Sequence, residues 1–245
     1  MDLDRWLIVG AVLWGAAAGS LVPRPAYRLS VDPDEPWRDR CPEGRPITGA
    51  ARGWLGPARS PGGARYGPGT LLVCLATALV CAGLALATGT RPELGAWLLL
   101  APLGVLLAVV DFRVQRLPDV LTLPLAVAAL ALLGVAALLP EHAGHWLTAL
   151  LGALALGAAY FVLFLVNPNG MGFGDVKLAL GLGAVLGWYG WSTVFLGTFA
   201  GFLFGGLYGL GLVIVRRAGR KTSIPFGPFL IAGAYTGVLI GAYAA

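Results

Sequence analysis

Charge is scarce in this chain. Of its 245 residues only 12% are Asp, Glu, Lys or Arg, while 58% are hydrophobic, a balance that excludes an ordinary soluble globular domain. Three cysteines are too few and too scattered for a disulfide framework or a four-cysteine zinc site. Cys74 and Cys81 fall inside an apolar run and read as packed thiols. The two histidines, His142 and His145, share one short connection, where such a pair reads as a polar loop feature, not a metal centre. A basic segment is also missing ahead of the first apolar run. Asp2 and Asp4 stand there instead, and Pro23-Arg24-Pro25 follows in place of a small-residue cleavage site, so the run reads as a span and not as a signal peptide.

What is present is apolar and long. Eight runs have about the length a helix needs to cross a bilayer, at 5–22, 70–88, 95–110, 120–139, 146–166, 176–190, 191–215 and 226–244. The sixth and seventh are split only by Trp188, Tyr189, Gly190, Trp191 and Ser192, so six to nine crossings fit the pattern. The expected fold is all-α: a polytopic membrane bundle of about eight transmembrane helices. It divides into a first helix over 1–22, a connecting loop over 23–69, and a membrane domain over 70–245.

Alternating connections assign a side to each base. Segments 23–69, 111–119, 167–175 and 216–225, with the start of the sixth run, carry fifteen of the seventeen Lys and Arg, leaving Arg5 and Arg91 opposite. The positive-inside rule places those segments in the cytoplasm and both termini outside, which is the topology of a multi-pass plasma or inner membrane protein. The net charge of +5 is then a topology signal that also suits anionic lipid headgroups, and calls for no nucleic acid. The loop 23–69 is rich in Pro, Gly and Arg and poor in aliphatic residues. It is predicted to be irregular and without a core of its own, with Trp37, Trp54 and Tyr66 as interface anchors.

Ten of the twelve acids sit in solvated positions or at ends of runs. The other two, Asp111 and Asp175, stand where an apolar run meets a short connection on the side assigned to the cytoplasm. Two crossings separate them, so both belong to one membrane face although 64 positions lie between them. Singly, each reads as a cap or interfacial charge, an acid at a helix start being favoured by the dipole. Jointly, ionisable groups at the edge of hydrocarbon face a cavity or a partner. Two carboxylates held close share a proton, one acting as general base toward water and the other donating to a carbonyl. Lys177, two residues beyond Asp175 and on another helix face, reads as a headgroup or topology charge.

Ahead of Asp175, Asn167, Pro168 and Asn169 stop the fifth helix, and Gly170, Gly172 and Gly174 have access to backbone angles closed to other residues. Irregular backbone at membrane depth survives only where it is buried or lines water. The stretch 170–174 therefore reads as a hydrated notch through which an extended peptide reaches the carboxylates.

Four stretches resemble a known family, the type IV prepilin peptidases, membrane aspartic proteases of the Gly-X-Gly-Asp type. GMGFGDVKL at 170–178 is similar to the second catalytic-aspartate motif and DFRVQRLPDVLTLPL at 111–125 to the first. IPFGPFL at 224–230 resembles the opening of the last span, and GSLVPRPAYRL at 19–29 the end of the first. The resemblance implies that Asp111 and Asp175 are the catalytic pair, with no cofactor for proteolysis, cutting the basic leader of prepilin-like proteins at the cytoplasmic face. Substrate and bilayer are the implied partners. Many members also methylate the new amino terminus from S-adenosylmethionine, and a loop with two Cys-X-X-Cys pairs, thought to hold zinc, accompanies that. Here CPEGRPITG at 41–49 keeps Cys41 but has Gly44 at the second cysteine, and GWLGPARSPGGARY at 53–66 lacks both. One thiolate cannot make a zinc site, so zinc is not expected. Methyl transfer stays open, as does the role served, whether pilus assembly, secretion or DNA uptake.

Two rival classes also keep buried acids in view. A proton- or cation-coupled transporter would use Asp111 and Asp175 as an ion site, although no inverted repeat of broken helices is visible. A catalytically silent assembly scaffold would need neither. Gly15 and Gly19 have the spacing of a helix-dimer motif, leaving homo-oligomerisation open beside packing within one chain.

Overall fold

The computed structural model describes residues 2–32, 35–60, 62–168, 170–215 and 224–245. Asn169 and the bases Arg216, Arg217, Arg220 and Lys221 of the last connection lie outside the described residues. The chain is helical, in the order α1 (Asp2–Leu21), α2 (Pro23–Leu29), α3 (Ala50–Gly53), α4 (Thr70–Thr88), α5 (Glu93–Val114), α6 (Asp119–Ala136), α7 (Trp146–Val166), α8 (Phe173–Gly187), α9 (Trp191–Ile214) and α10 (Gly227–Ala244). Among the described residues seven helical stretches are long and apolar enough to cross a bilayer. They are Asp4–Leu29, which runs α1 into α2, and then α4, α5, α6, α7, α9 and α10. This is a multi-pass membrane bundle.

The sixth apolar run is the exception. It forms α8, whose 15 residues span about 22 Å at 1.5 Å per residue, short of the roughly 30 Å of hydrocarbon. It ends at Gly187, and the chain turns at Gly190, the residue before α9, whose φ of +98° is open to glycine, so that α9 begins at Trp191. Shortness is compensated by company, since α8 packs against α6, α7, α9 and α10, and most of its residues are buried.

The chain separates into two compact units. The first comprises Met1–Thr90 with Leu94–Pro118, and the second Arg91–Glu93 with Asp119–Ala245. In the first, α1 packs along α4 through small residues. A Cβ on Gly15 would fall 2.7 Å from Thr77 O, and one on Gly19 would fall 2.9 Å from Cys74 Cα. The glycine spacing of the first span is thus used within the chain, where it lets two backbones approach in lipid. Trp14 Nε1 adds a 2.8 Å hydrogen bond to Leu98 O of α5.

The loop 23–69 departs from the coreless segment its composition predicts. Cys41, Ile47, Ala58 and Tyr66 form a small buried cluster with Tyr27 packed on it. Arg24 ties the surrounding backbone together, its Nε donating to Pro57 O at 3.0 Å and its Nη1 to Thr48 O at 2.9 Å. Two isolated antiparallel bridges, Arg40 with Pro46 and Arg59 with Arg65, bracket two similar turns. Tyr66 belongs to this core and is no interface anchor; burial holds its phenol above the ordinary 10, against the pull of the neighbouring Arg24 guanidinium. Trp37 is 46% exposed and meets Trp54 edge-on at 5.4 Å, while the Arg28 guanidinium lies over Trp54 at 3.9 Å.

In the second unit the helices also meet through glycine. A Cβ on Gly183 of α8 would clash with Gly152 O and stand 2.9 Å from Ala153 Cα of α7, and one on Gly233 of α10 would sit 2.6 Å from Gly201 Cα of α9. The carboxylate of Glu93 is fully buried here, although its place at the start of α5 suggests solvent. It accepts from Ala143 N at 3.3 Å and from the Tyr189 hydroxyl at 3.4 Å.

Candidate active site

Asp111 lies in the last turn of α5 and is 4% exposed, next to fully buried Val110. The helix stops just beyond it. Gln115 donates its N–H to Asp111 O at 2.8 Å and takes a φ of +50°, the left-handed residue that commonly ends a helix, and Pro118 blocks continuation. Arg116 Nη1 donates to Asp32 O at 3.0 Å, anchoring this turn on the segment after α2.

Asp175 is the third residue of α8 and is 7% exposed. Its Oδ2 accepts the Gly172 N–H at 3.2 Å, while its own N–H donates to Gly172 O at 3.0 Å. The cap reading of the sequence is therefore correct for one carboxylate oxygen, and the dipole of α8 favours the anion there. Both aspartates belong to the small set of buried polar side chains.

The glycines around Asp175 behave differently from the sequence expectation. Gly172, at φ −73° and ψ 144°, is in an extended conformation any residue adopts, and Gly174 lies inside α8. What glycine supplies is space: a Cβ on Gly170 would run into the Asn167 side chain, while Gly170 N–H closes a 3.0 Å turn on Asn167 O. Asn167 caps the C-terminal end of α7.

Lys177 is not a free headgroup charge. Its ammonium pairs with Asp119, the first residue of α6, and lies over the Phe173 ring. The 58-residue gap between partners leaves no local signal of this contact. His142 Nδ1 is 2.9 Å from Gly144 O, and its ring lies 5.9 Å from that of Trp188.

One turn of the loop, 41–44, stands where the resemblance implies the first cysteine pair, and a similar turn, 60–63, lies within the second region, 53–66. In 41–44, Gly44 N–H donates to Cys41 O at 2.9 Å; in 60–63, Gly63 N–H donates to Ser60 O at 2.9 Å. Gly44 and Gly63 have φ of +76° and +87°, so glycine relieves strain at the equivalent place in each turn. The donors on offer in the turns are the Cys41 thiol, the Glu43 carboxylate and the Ser60 hydroxyl, which donates to Glu43 Oε1 at 2.9 Å, and among the described residues no three His, Cys, Asp or Glu side chains converge to hold a metal. This set does not fit a tetrahedral zinc site.

Residues 98–210 match the type IV leader peptidase family. The prepilin leader peptidase/N-methyltransferase of Aeromonas hydrophila is 34% identical over 234 residues, covering 90% of this chain and 76% of the relative. The protein of the same name from Escherichia coli K12 is 36% identical over 171 residues, covering 66% and 69% respectively. That from Pseudomonas aeruginosa is 35% identical over 178 residues, covering 69% of this chain and 58% of the relative. No solved structure matches. With membrane helices throughout and both motif aspartates buried, the chain belongs to the type IV leader peptidase family and is a membrane peptidase.

Proposed function

We propose that this peptidase cleaves the leader of prepilin-like proteins at the cytoplasmic face of the membrane, with Asp111 and Asp175 as its catalytic pair. The observation that carries the reading is the burial of these two carboxylates, at 4% and 7% exposure, each in the motif that resembles a catalytic one. Burying a carboxylate is costly, and such groups are kept where chemistry uses them. In the reaction one carboxylate takes a proton from water as it attacks the scissile carbonyl, and the other, protonated, donates to the carbonyl oxygen. Neither step requires a metal. Cytoplasmic orientation is supported by the charge bias: the eleven bases of 23–69, 111–119 and the start of α8 share one side whether or not α8 crosses, with Arg5 and Arg91 opposite.

Processing of a prepilin-like substrate by the purified enzyme tests the reading. Asp111→Asn and Asp175→Asn are each expected to abolish cleavage while the protein stays folded in detergent. Undiminished processing by either would sink the pair, whereas no processing by the wild type would favour the transporter alternative. Mass spectrometry of the product decides methyl transfer in the same experiment, since S-adenosylmethionine supplies a methyl group of known mass. We infer further that the 23–69 loop works without zinc, its two turns lacking the thiolates a metal would need.

A further inference from the structure

Lys177 and Asp119 come from the two aspartate-bearing motifs, yet the proposed chemistry uses neither. Lys177 Nζ is 2.6 Å from Asp119 Oδ2, a short charge-assisted contact. The Lys177 side chain is 19% exposed and that of Asp119 61%, so the carboxylate faces outward and the ammonium is drawn in. Nζ also stands 4.8 Å from the centre of the Phe173 ring, within cation–π range. A charge that only marked topology or met a lipid headgroup would be extended and solvated. This one is held from two sides.

The pair links the beginnings of two helices. Asp119 opens α6, where the helix dipole favours an acid, and Lys177 is the fifth residue of α8. The two helices stay close further along, since a Cβ on Gly181 of α8 would lie 3.5 Å from Ala126 Cα of α6. Asp175 stands two residues before Lys177, in the first turn of α8, a turn that starts from Gly172 and contains Gly174. Those glycines give the helix start little stiffness of its own, and the Asp175–Gly172 hydrogen bond is local to the turn it would have to steady.

We propose that Lys177 and Asp119 form a positioning pair for Asp175, pinning the first turn of α8 to the start of α6 so that the carboxylate keeps its reactive orientation. The proposal rests on the reading of Asp175 as catalytic. Neither residue touches the reacting atoms, so loss of the pair lowers the fraction of productive geometry and leaves substrate binding in place. A misplacement of about 1 Å at a reacting group costs on the order of a hundredfold, and a loosened turn that still visits the right geometry costs less.

The test compares Lys177→Met, Asp119→Asn, the double variant, Lys177→Arg and the charge-swapped Asp119→Lys/Lys177→Asp protein, all full-length, on a prepilin-like substrate. Each single neutral variant is expected to lower kcat about tenfold with KM within about twofold. The double variant is expected to be no worse than the poorer single, because each removes the same contact. Lys177→Arg and the swapped pair are expected to recover part of the loss. Unchanged kcat in both singles, a loss confined to KM, or losses that multiply in the double variant would each overturn the pair. Asp175→Asn is run alongside: full activity there defeats the catalytic reading itself, whereas an inactive Asp175→Asn with wild-type singles defeats only the positioning role. Thermal melting guards against misfolding, and if the Lys177 variants unfold, the more exposed Asp119→Asn carries the decision on kcat alone.

Discussion

Ser60 Oγ donates a 2.9 Å hydrogen bond to Glu43 Oε1, joining the two similar turns of the first loop across 17 residues. The bond and the cluster of Cys41, Ile47, Ala58 and Tyr66 together tie the turns to one another. Metal analysis of the purified protein is expected to find no stoichiometric zinc, and a strong chelator should leave the loop as resistant to limited proteolysis as before. Ser60→Ala should loosen it, with a cost of about 1 kcal/mol read as faster nicking within 41–63. One zinc per chain, or chelator-induced cleavage, would show that the turns find ligands elsewhere.

Glu93 carries the next prediction. Its fully buried carboxylate satisfies Ala143 N–H and the Tyr189 hydroxyl, 50 and 96 positions away. Glu93→Ala strips the acceptor from two donors at once and should destabilise by about 1–3 kcal/mol, seen as a lower melting temperature in detergent. Glu93→Gln keeps a carbonyl oxygen in place and should cost less. Equal melting of the two variants would mean that neither the carbonyl acceptor nor the side-chain volume carries the stabilisation, since Gln keeps both.

These contacts mark where sequence reading runs out. The spanning helices are legible because a bilayer imposes length and apolarity on each segment separately, so the runs can be counted without knowing what they touch. Asp111 and Asp175 are legible because acids are rare beside such runs. Glu93 is hidden because its partners lie in distant connections, Ala143 between α6 and α7 and Tyr189 between α8 and α9, and its own neighbours, Pro92 and Leu94, resemble an ordinary helix start. The loop core is hidden for a related reason: one cysteine, one isoleucine, one alanine and two tyrosines over 40 positions make no periodic pattern. Lys177 reads as a lone charge because the carboxylate it meets opens a helix two segments earlier. The shortness of α8 is obscured by apolar residues on both sides of the turn at Gly190.

Tyr66 gives the loop a dependence on alkaline pH. Burial raises its phenol above 10, and the Arg24 guanidinium beside it only partly offsets this. The unfolded chain therefore ionises first as pH rises. The stabilisation is complete below the ordinary value and is lost as pH climbs from there toward the raised one. Protease protection of the loop, followed from about pH 8 to about pH 11, should decline more steeply in the wild type than in Tyr66→Phe, which cannot ionise. Parallel curves would assign the decline to other groups.

Gly15 and Gly19 decide between packing within the chain and dimerisation. In the structure both face α4, and a side chain at Gly15 would meet Thr77 O at 2.7 Å and Ala78 Cα at 2.8 Å, backbone atoms with nowhere to retreat. Gly15→Leu must therefore push α1 away from α4, at a cost of about 1–3 kcal/mol for overpacking a close helix contact. The expected result is a lower melting temperature with no change in oligomeric state, measured by light scattering in detergent. Gly10, on the same helix, has open space where a Cβ would stand, with no neighbouring atom within 4 Å, and serves as the control. Gly10→Leu should melt close to the wild type. If Gly15→Leu instead dissociates an oligomer while the monomer keeps its melting temperature, the glycine face of α1 belongs to a contact between chains.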